Sequence, residues 1–200
     1  MNTMSAEQTQ VSYENARVNL ELSWRFYQMS EVINNMKTRR SIRKYKPDMI
    51  PEDVLNRIIE AGTYAATGMG KQSPIIIAVT NKEIRDKFSK MNAEIMGVDS
   101  DPFYGAPVVL IVLADKARPT YVYDGSLVMG NLMLAAHAEG IGSCWIHRAK
   151  EEFESAEGKA LKSLGIEGDY EGIGHCVLGY TDGEEPKAMP RKENYVYCVK

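Results

Sequence analysis

The stretch Pro107-Val108-Val109-Leu110-Ile111-Val112-Leu113 decides the fold, because it is apolar at every position. A strand that faces water on one side alternates apolar and polar residues, whereas a strand covered on both faces does not. The run Ile75-Ile76-Ile77-Ala78-Val79 repeats the same pattern. The sequence therefore predicts two strands in a sheet that lies inside the protein.

Helix signals lie between and after these strands. Pro51 suits a first helical turn and two acidic residues follow it, so a helix is predicted there, with Gly62 as a possible end. Apolar residues at helical spacing predict another helix over residues 84–95. Residues 124–139 are apolar nearly all round, which predicts a central buried helix closed by Gly140.

The remaining elements complete a layered plan. Strands are predicted at about 142–147 and 175–180, with an amphipathic helix over 153–164 between them. Helices alternating with buried strands predict an α/β (α+β) fold with a central sheet. Residues 1–28 show no clean period, so we expect an N-terminal extension followed by one domain over 29–200.

Composition excludes several classes of protein. The 200 residues carry a formal net charge of -3, which opposes a general nucleic-acid role. The three cysteines, Cys144, Cys176 and Cys198, form no C-x-x-C pair and their odd number cannot complete a disulfide framework, so a reducing cytoplasm is expected. No segment has the apolar length of a membrane span, and the first residues lack the pattern of a signal peptide.

The basic stretch Arg39-Arg40-Ser41-Ile42-Arg43-Lys44-Tyr45 is the strongest chemical signal in the chain. Arginine offers a planar fork of donors that matches phosphate oxygens, and the serine hydroxyl adds a rotatable donor. The stretch is interpreted either as a phosphate-binding segment or as a solvated basic run.

Other motifs fail on their context. Gly68-Met69-Gly70 follows a predicted helix and precedes a strand, with Ser73 in the third glycine position, so it is not a dinucleotide-binding fingerprint. Gly70-Lys71 also fails as a P-loop, because Ala65 occupies the first glycine position. The remaining interpretation is a loop whose backbone approaches a ligand closely.

Groupings for acid, base or nucleophilic catalysis are few. The histidines His137, His147 and His175 show no paired spacing for zinc, and no G-x-S-x-G elbow occurs. Thiol catalysis would require folding to bring a cysteine and a histidine together. The chain has one possible phosphate-binding segment and few groupings of acids, bases or nucleophiles. This combination indicates that a bound cofactor carries out the chemistry.

Five motifs in order resemble the FMN-dependent nitroreductase family, from residue 30 to about 192. They are Arg39–Tyr45, then Ala65-Ala66-Thr67-Gly68-Met69-Gly70-Lys71-Gln72, Gly105-Ala106-Pro107-Val108-Val109, Asn131–Ala136 with Gly140–Ile146, and Leu178-Gly179-Tyr180 with Pro190-Arg191-Lys192. The resemblance implies a three-layer fold with a central, mainly antiparallel sheet flanked by helices, in a homodimer that shares its sites at the subunit interface.

The resemblance also implies roles for the residues of the cofactor site. It places the FMN phosphate and ribityl chain against Arg39, Arg40, Ser41 and Arg191, and puts Arg43 near the pyrimidine edge of the flavin ring. A cation at that edge would stabilise negative charge on the reduced flavin. The segment that lies beside the central flavin ring in the family matches Trp145, Ile146 and His147, with a backbone N–H directed to N5. The His147 imidazole could also face substrate.

A second group of site residues would come from the opposite subunit. These are Ala66, Thr67, Gly68, Gly70 and Gln72. The family often has Asn where this chain has Gly70, which removes one side-chain donor from the expected flavin contacts. A glycine N–H could take its place.

The implied activity is an oxidoreductase in which NADH or NADPH reduces FMN and an electron-poor acceptor, such as a nitroaromatic or a quinone, then takes the electrons. Three alternatives stay open. They are another flavin reaction on the same fold, such as dehalogenation or ene reduction, a non-catalytic flavin-binding or sensory protein, and a nucleic-acid binder.

Overall fold

The computed structural model describes residues 31–155 and 166–199. Residues 31–38 form helix α1 and belong to a unit separate from residues 39–200. The predicted boundary between residues 28 and 29 lies outside the described residues. Most of the predicted amphipathic helix, from residue 156 onward, lies outside them as well. Within the described ranges, every helix is too short or too polar to span a lipid bilayer.

The described part of the second unit contains helices and strands in alternation. In chain order they are α2 (Glu52–Thr63), β1 (Pro74–Val79), α3 (Lys82–Met96), β2 (Val108–Asp115), α4 (Tyr121–Ala138), β3 (Gly142–Ile146), α5 (Ala149–Glu154) and β4 (Tyr170–Gly179). A short 3₁₀ turn at Gly68–Gly70 precedes β1. Helices α2, α3 and α4 and the four strands each match an element predicted from the sequence, whereas α5 overlaps the predicted helix over 153–164 only at residues 153 and 154.

The four strands form one sheet in the order β1-β2-β4-β3, and every neighbouring pair is antiparallel. Residues of α2 and α4 share one buried core with Val108, Leu110 and Val112 of β2. Residues of α3 and α5 share the opposite core with alternate residues of the same strand, such as Val109 and Ile111. Helices therefore flank the sheet on both faces, which confirms the predicted fold and explains why β2 is apolar at every position.

The first strand differs from its prediction in one respect. Pro74–Val79 does form β1, but residues 74–77 are only half-buried and Ala78 is exposed. The reason is position, since among the described strands β1 has β2 as its single neighbour and lies at an edge of the sheet. A continuous apolar run thus marks both a central strand and an edge strand in this chain.

Two glycines beside the long helix α4 have different roles from each other. Gly140 has a φ of 72°, and the N–H of Ile141 donates to the carbonyl of Ala136 at 2.8 Å, so Gly140 closes α4 as predicted. Gly62 instead lies inside α2, which continues to Thr63. A Cβ at Gly62 would come within 2.5 Å of Leu132 Cδ2. Gly62 therefore permits close packing of α2 on α4.

Strand β4 begins at Tyr170, five residues before the predicted start at His175. Two glycines in the first half of the strand obscured it, because glycine weakens a strand pattern. A Cβ at Gly172 would lie 2.2 Å from the Ala149 carbonyl oxygen, and a Cβ at Gly174 would lie 2.3 Å from Trp145 Nε1. The glycines allow other groups to lie directly against β4.

A polar cluster around Asp101 fixes the loop before β2. The carboxylate of Asp101 accepts from Arg85 Nη2 and Ser89 Oγ, both at 2.5 Å, and from the backbone N–H groups of Phe103 and Gly105 at 2.8 and 2.7 Å. Burial alone raises the pKa of Asp101, but these hydrogen bonds outweigh burial and hold that pKa below its usual range. The cluster joins α3 to the loop.

We expect Gly172→Ala to lower the free energy of unfolding by about 1–3 kcal/mol, the usual cost of overpacking, because its new methyl group would collide with backbone atoms that cannot move aside. Gly130→Ala is the control, since a Cβ at Gly130 meets nothing within 4 Å. The control should be neutral or stabilise α4 by up to about 1 kcal/mol. Urea unfolding of both variants measures the difference, and equal stabilities would contradict the close approach.

Acid should weaken the fold partly through Asp101. Its folded-state pKa is depressed, so its stabilisation is complete above the unfolded-state value of about 3.9 and is lost as pH falls through the folded-state value. We expect Asp101→Asn to cost about 1–3 kcal/mol at pH 7 and to flatten the decline in stability below about pH 4. Urea unfolding between pH 7 and pH 3 tests this expectation. The exposed Asp48→Asn serves as control, and an identical pH profile for both variants would contradict it.

Candidate functional site

The basic segment lies along β3, the edge strand opposite β1. Ser41 and Ser143 form a parallel bridge, and the N–H of Ile42 donates to the Ser143 carbonyl at 2.9 Å. Ile42 and Tyr45 are buried, and the Tyr45 hydroxyl donates to the Ile42 carbonyl at 2.8 Å. These two side chains hold the segment against the core. The segment is therefore an ordered part of the domain, which argues against a merely solvated basic run.

Two buried polar atoms at this edge lack partners. Nη1 of Arg39 and Oγ of Ser143 are both fully buried, and neither has a hydrogen-bond partner in the described part of the chain. An unpaired buried donor costs about 1–3 kcal/mol. A phosphate group would satisfy it, because phosphate oxygens match a guanidinium fork and accept from hydroxyl groups. Arg39 and Ser143 therefore fit a phosphate. Ser41, which is bridged to Ser143, is the third ligand that the family resemblance implies, and we name these three residues the anion corner.

The other basic residues of the segment have different surroundings. Nη1 of Arg40 donates to the carbonyl of Arg39 at 2.7 Å. Arg43 is exposed, with a long contact of 3.5 Å from its Nη1 to the Ser41 carbonyl. Arg191 is also exposed, and its Nη2 donates to the Met189 carbonyl at 2.5 Å. The predicted meeting of Arg191 with Arg39 on one phosphate stays a prediction.

The predicted ring-contacting segment continues from the same strand. Trp145 is half-buried and Ile146 is buried at the end of β3, whereas the side chain of His147 is exposed. Arg148 follows with a φ of 77° and leads into α5. The structure therefore brings the anion corner and residues 145–147 together on one edge strand.

The loop predicted to reach the partner's site is fixed by a residue that sequence reasoning missed. Asp124, which is 3% exposed, accepts from the Gly68 N–H at 2.9 Å, from Ser73 Oγ at 2.8 Å and from Thr120 Oγ1 at 3.1 Å. Burial raises the pKa of Asp124, but the three hydrogen bonds outweigh it and the pKa lies below its usual range. The sequence signal that could have identified Asp124 is a lone carboxylate in an otherwise apolar helix.

The glycines of this loop have two different structural roles. A Cβ at Gly68 would lie 2.3 Å from Thr120 Oγ1, so the close approach at Gly68 is to α4. Met69, Gly70 and Gln72 have φ values of 52°, 65° and 50°. The N–H of Gln72 donates to Thr67 Oγ1 at 3.1 Å. Apart from the half-buried Thr67 and Gly68, the site residues predicted in this loop are exposed, namely Ala66, Gly70 and Gln72.

The loop and the basic segment lie at opposite edges of the sheet. Residues 66–72 precede β1 in the chain, whereas residues 39–43 lie alongside β3 in space. Strands β2 and β4 separate these edges, which at about 4.8 Å between strands amounts to about 14 Å. The two groups of predicted site residues are thus far apart within one chain.

The two buried cysteines are poorly suited to thiol catalysis. Burial raises the pKa of Cys144 more than Arg43, Ser41 and Arg39 lower it, and burial also raises the pKa of Cys176. Both therefore favour the less reactive thiol form. Among residues 31–155 and 166–199, no group of three His, Cys, Asp or Glu side chains is arranged to hold a metal ion.

Comparisons with known proteins identify the family of this chain. The sequence model described as "Nitroreductase family" matches residues 36–99 and 93–180. Two proteins named "Putative NADH dehydrogenase/NAD(P)H nitroreductase" are similar in sequence. The one from Archaeoglobus fulgidus is 30% identical over 78% of this chain and 89% of its own length. The one from Methanothermobacter thermautotrophicus is 32% identical over 58% of this chain and 60% of its own length.

A solved structure shows the same likeness in three dimensions. The nitroreductase with bound FMN from Bacteroides fragilis is 31% identical, with a TM-score of 0.76 over 85% of this chain and 99% of that one. The family match extends over residues 36–180, which include the anion corner, the loop before β1 and all four strands. This chain belongs to the nitroreductase family.

Proposed function

We propose that this chain is an FMN-dependent oxidoreductase that uses NADH or NADPH to reduce electron-poor acceptors such as nitroaromatics or quinones in two successive steps. The observation that carries the proposal is the pair of buried, unpartnered polar atoms, Nη1 of Arg39 and Oγ of Ser143, in a chain that resembles an FMN-bound nitroreductase. Bound FMN would supply the hydride chemistry, and the protein would supply binding, orientation and charge.

The anion corner would hold the cofactor's phosphate, with Arg40 and Arg191 adding charge. Residues 145–147 would line the flavin ring, since they continue from the same strand. Arg43 is exposed and free of any ion pair within the described residues, so its guanidinium can approach the pyrimidine edge of the ring. A cation there favours the anionic reduced ring over the neutral oxidised one.

The site would be completed by a second copy of the chain. Within one chain, the loop at residues 66–72 lies across the sheet from the anion corner. A partner can bring its own loop to that corner. The exposed apolar side chains Tyr64, Met69, Tyr123 and Leu127 surround this loop and the adjacent face of α4, and they support an interface there. Such a homodimer would hold two equivalent sites.

The visible absorption spectrum of the purified protein is the first test. Flavin bands that are identified as FMN by chromatography and that bleach on anaerobic addition of NADH or NADPH would support the proposal. A panel of acceptors, including nitroaromatic, quinone and halogenated compounds, would then identify the substrate class from the rate of reoxidation. A colourless protein that cannot be reconstituted with FMN would refute the proposal.

Removing two of the proposed phosphate ligands should release the cofactor without unfolding the protein. We expect Arg39→Ala/Arg191→Ala to raise the Kd for FMN at least about 100-fold, because each charged hydrogen bond contributes about 1.5–3 kcal/mol. Fluorescence titration of the apoprotein measures the Kd. The control Lys90→Ala/Arg118→Ala removes the same charge from exposed positions elsewhere and should bind FMN normally. Normal affinity in the first variant would exclude this anchor.

Complementation between two defective chains tests whether each site is shared. Arg39→Ala damages the anion corner, and Ala66→Glu places a carboxylate on the exposed loop. In a mixed dimer, one site would contain both defects and the other neither. We expect about one FMN per mixed dimer, against little or none in either parent dimer. Cofactor-to-protein ratios of purified, differently tagged dimers give the answer, and no recovery would show that each site uses one chain.

A further inference from the structure

The turn between β3 and α5 is held from inside the protein by Asn92. This residue of α3 is fully buried. Its amide nitrogen donates to the His147 carbonyl at 2.9 Å and to the Glu152 carboxylate. Its amide oxygen accepts from Arg148 Nε at 2.9 Å. The amide nitrogen and the amide oxygen of Asn92 thus both form their hydrogen bonds with residues 147–152.

A second buried layer supports Asn92. Glu152 and His175 are 0% exposed, with Glu152 Oε2 at 2.9 Å from His175 Nε2, although the approach is too bent for a good hydrogen bond. The His175 ring packs against Phe103 at 5.2 Å and Phe88 at 6.1 Å between centroids. These groups cannot turn toward water without opening the core, so Glu152 holds the Asn92 amide in one orientation.

The turn itself is strained. Arg148 has a φ of 77° and a ψ of 8°, in the left-handed region that is unfavourable for a residue with a side chain. Such a conformation persists only where surrounding contacts enforce it. Asn92 supplies two of those contacts, one to the carbonyl before Arg148 and one to its guanidinium.

The orientation of one peptide group follows from these contacts. A trans peptide directs its C=O and N–H in opposite directions. Since the His147 carbonyl points at the buried Asn92 amide, the Arg148 N–H points away from it. That N–H has no hydrogen-bond partner in the described part of the chain. It is an unpartnered donor two residues beyond the end of β3, the edge strand along which the anion corner lies.

We propose that Asn92 is a positioning residue of the cofactor site, which aims the His147–Arg148 peptide through its hydrogen bond to the His147 carbonyl. The inference rests on the proposed function, which places this turn against bound FMN. Without the amide, His147, Arg148 and Glu152 would lose a partner at once. The strained Arg148 could then relax, and the free N–H would turn away from the ring.

The test compares Asn92→Ala with Ser89→Ala. Ser89 is also buried on α3, three residues earlier, but its hydroxyl donates to Asp101 in the loop before β2 and not to residues 147–152. In the apoprotein, hydrogen exchange of the peptide covering residues 145–153 should be at least about tenfold faster in Asn92→Ala than in wild type, which corresponds to the loss of about one buried hydrogen bond. Ser89→Ala should leave exchange in that peptide unchanged.

The same variants are then titrated with FMN. We expect Asn92→Ala to raise the Kd for FMN about five- to fiftyfold and to change the visible circular dichroism of the bound flavin, a signal that depends on how the ring is held. Ser89→Ala should keep the wild-type spectrum and a Kd within about twofold. Asn92→Ser keeps one hydroxyl donor for two acceptors, so it should give intermediate values. It also replaces Asn92→Ala should that variant fail to fold.

The outcomes separate the two proposals. Failure of the wild-type protein to bind FMN would overturn the proposed function, while exchange in the turn would still report on Asn92. Faster exchange with an unchanged Kd and an unchanged flavin spectrum would show a purely structural role and overturn the positioning inference. Unchanged exchange in Asn92→Ala would overturn it as well. Coupled changes in exchange, Kd and spectrum, absent from Ser89→Ala, would support it.

Discussion

The burial of β2 on both faces is the constraint on which the rest of the structure depends. Its alternate residues enter two separate cores, one shared with α2 and α4 and the other with α3 and α5. Both faces of the sheet centre are thereby closed to water and to ligands. Polar chemistry is left with the edges of the sheet and the turns at strand ends, and the basic segment and the loop before β1 occupy such places.

Several buried polar groups of this chain support the fold. Asp101, Asp124 and Asn92 each bond to several groups within the chain and join elements that are distant in sequence. Glu152 Oε2 and both ring nitrogens of His175 lack a hydrogen-bond partner in the described residues, but these side chains are 0% exposed and lie inside the core. The buried Nη1 of Arg39 also lacks a partner in the described residues, and it belongs to the segment along the edge strand β3. An unsatisfied group at the edge of the sheet is the one that a ligand can satisfy, so Arg39 is the candidate contact to a cofactor.

Much of the fold could be predicted from local sequence patterns. Strand β2 and helix α4 carry long apolar patterns that admit few alternatives, and four cations within residues 39–44 marked the basic segment. The early start of β4 was missed, because Gly172 and Gly174 are dictated by Ala149 and Trp145 and lack side chains of their own. Asn92 gave no local signal and Asp124 only that of a lone carboxylate in an apolar helix, since their partners lie up to 60 residues away along the chain. Such contacts depend on how the elements pack, which a local pattern does not contain.

The opposite placement of the loop and the anion corner has a thermodynamic consequence. If each FMN touches both chains, cofactor binding and chain association are linked equilibria, and each must strengthen the other by the same factor. Bound FMN would then hold the dimer together, and dilution of the protein would loosen its hold on FMN. Cofactor supply would thereby set the fraction of chains that are assembled as well as the fraction that are active.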